Sequence, residues 1–73
     1  MGALENTKTV IYPNLRAEIS RHGDTLEDLA AALNMSVSAV SRRLSGSIEW
    51  GIGEIDILCK RYNVAFEYLF KRE

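Results

Sequence analysis

The 73 residues include one cysteine, one proline, one histidine and one tryptophan. A lone Cys59 cannot close an internal disulfide, which excludes a disulfide-stapled secreted scaffold and makes a reducing cytoplasm the expected setting. A lone His22 has no partner that would make a metal site or activate a nucleophile, so it reads as a helix-end residue half covered by the core. No apolar run approaches the ~20 residues that span a bilayer, and no signal-peptide pattern opens the chain. Gly51-Ile52-Gly53 lacks the spacing of a phosphate-binding loop. No acidic residue occurs between Asp28 and Glu49. These absences leave no catalytic residue, metal ligand, cofactor, small-molecule substrate or membrane contact to expect.

What remains is the composition of one small globular domain, 47% hydrophobic and 26% charged. Charge is unevenly spread. Up to Asn34, Lys8, Arg16 and Arg21 face five carboxylates; beyond it, cations outnumber acids by one. The net charge of −1 argues against indiscriminate nucleic-acid binding but allows a local basic face.

Punctuation along the chain predicts five short helices behind an arm over residues 1–9, with the domain proper at 10–73. Pro13-Asn14 starts the first helix, which carries Leu15, Ile19 and His22 on one face and stops at Gly23. Thr25-Leu26-Glu27-Asp28 resembles a capping box with Asp in place of Glu. Leu26, Leu29, Ala30 and Leu33 follow at helical spacing. Asn34 suits a left-handed helix end, and Ser36 can cap the next helix only two residues later. Met35 and Val40 are spaced as a hydrophobic staple. Two short helices joined by so tight a turn have the spacing of a helix-turn-helix. The third helix should run from Val37 to Ser45 and end at Gly46. Trp50 should cover the core edge. A fourth helix from Ile52 to Tyr62 should turn Ile52, Ile55, Leu58, Cys59 and Tyr62 inward, Asn63 should break it, Val64 should plug the core, and a last helix should span Ala65 to Phe70.

On the third helix, Val37, Val40 and Leu44 share one side while Ser38 and Arg42 point the opposite way, with Ser41 and Arg43 on the flanks. A face of small hydroxyls and guanidinium groups suits something negative. Arg42 could donate two parallel hydrogen bonds to a guanine edge in the major groove. Arg43, with Thr25, Ser36 and Ser47 near helix ends, suits phosphate contacts. The alternative for the arginine pair is a solvated charged face.

The stretch from Tyr12 to Phe70, with "YPNLRAEI", "LAAALNMSVSAVSRRLSG" and "VAFEYLF", resembles the Cro/C1-type helix-turn-helix family of phage and bacterial regulators, most of all a short subgroup in prophages of Gram-positive bacteria. The resemblance implies an all-α, compact five-helix lambda-repressor-like domain that binds double-stranded operator DNA as a homodimer and controls transcription. Position by position, it assigns base reading to Val37, Ser38, Ser41 and Arg42. Leu26 stands where many members have glutamine, Val37 replaces a polar reader, and Asn34 replaces the usual glycine. Ile57, Phe66 and Phe70 look surplus to the core and are the expected dimer patch. The rival expectation is a protein-interaction module, an antirepressor or antitoxin-like partner, favoured by the acidic balance and the missing polar readers.

Overall fold

A computed structural model describes residues 11–73. The expected arm, Lys8 within it and Val10 lie outside the described residues. Among those described, five helices and no strands form one compact body: α1 Pro13–Arg21, α2 Leu26–Leu33, α3 Val37–Ser45, α4 Ile52–Tyr62 and α5 Phe66–Leu69. None is long and apolar enough to cross a membrane.

Local chemistry sets the boundaries. Pro13 opens α1, where its missing N–H costs nothing. At α2 the capping box forms with Asp in the reciprocal role. Asp28 N–H donates to Thr25 Oγ1 at 3.1 Å, and Thr25 N–H donates to Asp28 Oδ2 at 2.9 Å. Asn34 ends α2 at φ 57° and ψ 51°, the left-handed region that asparagine tolerates better than most residues. Ser36 Oγ then accepts from Ala39 N–H at 3.0 Å to start α3. Gly46 ends α3 at φ 89°, where a side chain would also press on Ile11. Asn63 ends α4 at φ 54°.

Each helix contributes one fully buried aliphatic residue: Leu15, Leu29, Val40, Leu58 and Leu69. Leu33, Leu44, Tyr12, Trp50 and Tyr62 surround these five, with Ile19, Leu26, Met35, Val37 and Val64 packed at the edge. α3 packs most extensively against α2, α2 also meets α4, and α5 bridges α1 and α4. Beyond α5, Glu73 N–H donates to Ile11 O at 3.0 Å, holding the last residue against the segment that leads into α1.

Two polar anchors tie distant segments together, and neither was visible as a sequence pattern. Glu18 is 3% exposed and accepts from Arg21 Nη1 at 2.6 Å and Tyr68 OH at 2.8 Å. Asn14 Nδ2 donates to Tyr68 O at 2.8 Å, so Tyr68 pins α5 to α1 through both its side chain and its backbone. Asp24, in the α1–α2 turn, accepts from Arg61 Nε and Nη2 at 2.9 and 2.8 Å and from Tyr62 OH at 2.7 Å. The Arg61 guanidinium holds the Asp24 carboxyl at about 2, against the opposing push of burial and with help from Tyr62. Burial and this carboxylate together push the Tyr62 hydroxyl well above its ordinary value. His22 is half covered, its ring tilted against Tyr62 at a centroid distance of 4.8 Å.

Two expectations about α4 and α5 are corrected. Ile52 does not turn inward: it is 87% exposed. It opens the helix on a side about 100° away from the Leu58–Tyr62 stripe, where no helix packs over it. Phe70 is not surplus: it is half-buried, with its ring edge-on to Tyr12 and Trp50 at 5.8 Å from each. It therefore closes the core edge.

Candidate nucleic-acid interface

The outward side of α3 carries no acidic residue, while Glu27 and Asp28 stand exposed in the first turn of the adjoining α2. Ser38, Ser41 and Arg42 are all exposed along α3, and their inward counterparts Val40 and Leu44 are buried. That division follows from the helical period: positions 38 and 42 lie about 180° from the side of α3 that packs on α2. No carboxylate of the described residues forms an ion pair with Arg42. The first turn of α3 contains no acid, and Arg42 and Arg43 occupy its last turn, where positive charge complements the helix dipole. Val37 is half-buried against the core, which leaves only part of its side chain available for an apolar contact.

The hydroxyls expected at phosphates occupy two kinds of position. Thr25 and Ser36 are exposed caps whose oxygens accept backbone N–H bonds, so each O–H proton is still available for donation. Ser47 lies beyond the C-terminus of α3, its backbone N–H bonded to Arg42 O at 2.9 Å and its hydroxyl 3.2 Å from that of Ser45. Ser45 also donates to Arg42 O at 3.0 Å. The backbone around Arg42 is thus fastened while its guanidinium projects into solvent.

Arg43 departs from the expectation of a guanidinium open to phosphate. Its Nε and Nη2 donate to the two carboxylate oxygens of Glu54 at 2.8 and 3.3 Å, and Nη1 donates to Ala39 O at 3.2 Å. Its side chain is only 17% exposed. Glu54 also accepts from Gly51 N–H at 2.9 Å at the start of α4. Burial works to raise the Glu54 carboxyl, but the Gly51 and Arg43 bonds outweigh it and hold the group below its ordinary value. Arg43 is the strut that fixes α3 to α4, and Arg42 is the cation left on the face. Glu54 was missed as a partner because the pair spans a loop. Its place three residues after Gly51 was the available signal.

The residues expected to pair two copies are not brought into one patch. Phe66 is 53% exposed and stacks on Phe70 with centroids 5.9 Å apart. Ile57, 40% exposed, lies roughly 160° around α4 from the side that meets Phe66. On that side Ile52, Ile55, Asp56, Cys59 and Phe66 line an open groove of about 410 Å³. The half-buried Cys59 thiol is pushed above its ordinary value by burial, with Asp56 and Glu67 adding to the effect. No cluster of three or more metal-ligating side chains occurs among the described residues.

Comparison with known proteins gives one positive result. No curated protein and no solved structure matches the chain. A family model described as the BetR domain matches residues 6–73, nearly its whole length. The chain belongs to the BetR domain family.

Proposed function

We propose that this domain binds double-stranded DNA sequence-specifically through α3 and regulates transcription, as a phage or prophage regulator of the Cro/C1 kind. The observation that carries the reading is the outward face of α3, where Ser38, Ser41 and Arg42 stand exposed and Arg42 has no carboxylate partner among the described residues. A helix with such a face fits the B-DNA major groove without a bulky apolar side chain to hold it off. Arg42 would read a guanine edge, with Ser38 and Ser41 contacting neighbouring bases or phosphate. Ser36, at the N-terminus of α3, would take a phosphate oxygen with its hydroxyl and nearby N–H groups, whereas Thr25 would offer only its hydroxyl proton, because the capping box with Asp28 occupies its own N–H and that of Asp28. The Cro/C1 resemblance from Tyr12 to Phe70 supports the same reading.

Selection of bound sites from a pool of random duplexes tests it. The protein should enrich a defined sequence, and Arg42→Ala should relax one position of it at a cost of ~1–3 kcal/mol. Failure to enrich any duplex, with the domain folded, would refute DNA reading and leave protein interaction as the better account.

A further inference from the structure

Arg43 stands on the flank of the exposed α3 face, about 100° around the helix from Arg42. The flanks of a helix lying in the major groove run beside the phosphate backbone, so a free guanidinium there would find an acceptor in any duplex. Instead, each of its three nitrogens already has an acceptor within the chain. Nε and Nη2 donate to the Glu54 carboxylate at 2.8 and 3.3 Å, and Nη1 donates to Ala39 O, one turn back, at 3.2 Å. The side chain is thereby drawn from the flank towards the start of α4, and both members of the pair are largely covered.

Glu54 is itself fixed, and not by Arg43 alone. α4 opens at Gly51, which has no side chain to cap it, and Glu54 Oε1 accepts from Gly51 N–H at 2.9 Å. That same oxygen receives Arg43 Nε. The α4 backbone therefore sets where the carboxylate stands, and α3 meets a charged acceptor already in place. A two-point, charge-assisted contact of this kind is strong enough to compete with a phosphate for one guanidinium, which a neutral acceptor is not.

We propose that Glu54 is a positioning residue for DNA binding: by holding Arg43 against α4, it withholds one phosphate contact and limits the share of affinity that every duplex receives alike. The inference rests on the DNA reading of α3. Non-specific sites far outnumber specific ones in a genome, and a phosphate contact strengthens both. With Arg43 held, binding depends more heavily on the base contacts of Arg42 and its neighbours.

Affinity measured against salt, for the selected duplex and for an unrelated one, tests the proposal in a cycle of four proteins: wild type, Glu54→Gln, Arg43→Gln and the double substitution. Glutamine keeps an oxygen for Gly51 N–H, and circular dichroism checks that each variant folds. Glu54→Gln should steepen the fall of log K with log salt by ~0.9 per bound chain, and tighten both duplexes roughly 8-fold at about 0.1 M salt. Arg43→Gln alone should leave the slope as in wild type. In chains that already carry Arg43→Gln, the second substitution should not steepen it, because no guanidinium is left to release.

Three results would overturn the proposal. Glu54→Gln could leave the slope unchanged, or steepen it equally with and without Arg43, as the mere loss of a negative charge would. Arg43→Gln alone could flatten the slope, which would mean that Arg43 already reaches phosphate in wild type. A wild type that binds no duplex refutes the DNA reading and this inference with it. A wild type that binds with a salt dependence, while the cycle gives any of those three results, refutes this inference alone.

Discussion

Replacing Asp24 by asparagine removes one negative charge while leaving an oxygen to accept from Tyr62. In wild type the Arg61 fork holds this carboxyl at about 2 instead of its ordinary 3.8. At 1.36 kcal/mol per decade, that difference corresponds to about 2 kcal/mol of native-state stability at neutral pH. Asp24 is 9% exposed but Arg61 is 35% exposed, so screening reduces the value to about 1–2 kcal/mol. For a domain of this size the loss lowers Tm by roughly 5–15 °C. The sign follows from a depressed folded-state pKa. The contribution is complete above the unfolded-state value near 4, and it is lost as pH falls from there towards 2. Asp24→Asn should therefore be less stable than wild type at pH 7, with a gap that narrows across that window. Thermal and urea unfolding of both proteins along a pH series would show it. A gap that is absent at pH 7, or that is the same at pH 7 and at the lowest pH where both fold, would refute the reasoning.

Four other outcomes follow from the same contacts. Arg43→Ala should cost about 1–2 kcal/mol of stability, because Glu54 loses a two-point partner, whereas Arg42→Ala should stay within about 0.5 kcal/mol; urea unfolding separates them. Asn34→Ala, at φ 57°, should destabilise by about 1–2 kcal/mol and Asn34→Gly should not, by the same assay. Leu29→Ala or Leu69→Ala, both fully buried, should each cost about 2–5 kcal/mol by calorimetry. DNA affinity should fall only shallowly with salt, because Glu54 holds Arg43 and leaves few cations for phosphate, and complete independence of salt would contradict phosphate contact.

What could be read in the sequence was what depends on neighbouring residues. Thr25 and Asp28, Asn34, Ser36, Gly46 and Asn63 each fix a helix end through atoms a few residues away, and the structure places those ends where the spacing put them. The outward placement of Ser38 and Arg42 needed only the helical period and a buried Val40 and Leu44. Contacts that depend on folding were not legible. Glu18 is buried because Tyr68 arrives from fifty residues away, and Asp24 is held by Arg61 and Tyr62 from α4. Arg43 and Arg42 are adjacent and identical in type, yet Glu54 captures one and not the other. Ile52 misled because period alone does not say how far along a helix the packing extends. Phe70 misled because its partners, Tyr12 and Trp50, come from loops.

Amide chemical-shift mapping decides whether α3 is the face that reads DNA. A ¹⁵N-labelled domain is titrated with the duplex enriched by selection, and the shifted amides are placed on the structure. The largest changes should fall from Ser36 to Arg42 and at the N-terminus of α2 around Thr25, with the Arg42 side-chain Nε–H among them. Shifts concentrated instead on α5 and the Ile52–Cys59 side of α4, with α3 unmoved, would contradict DNA reading by α3.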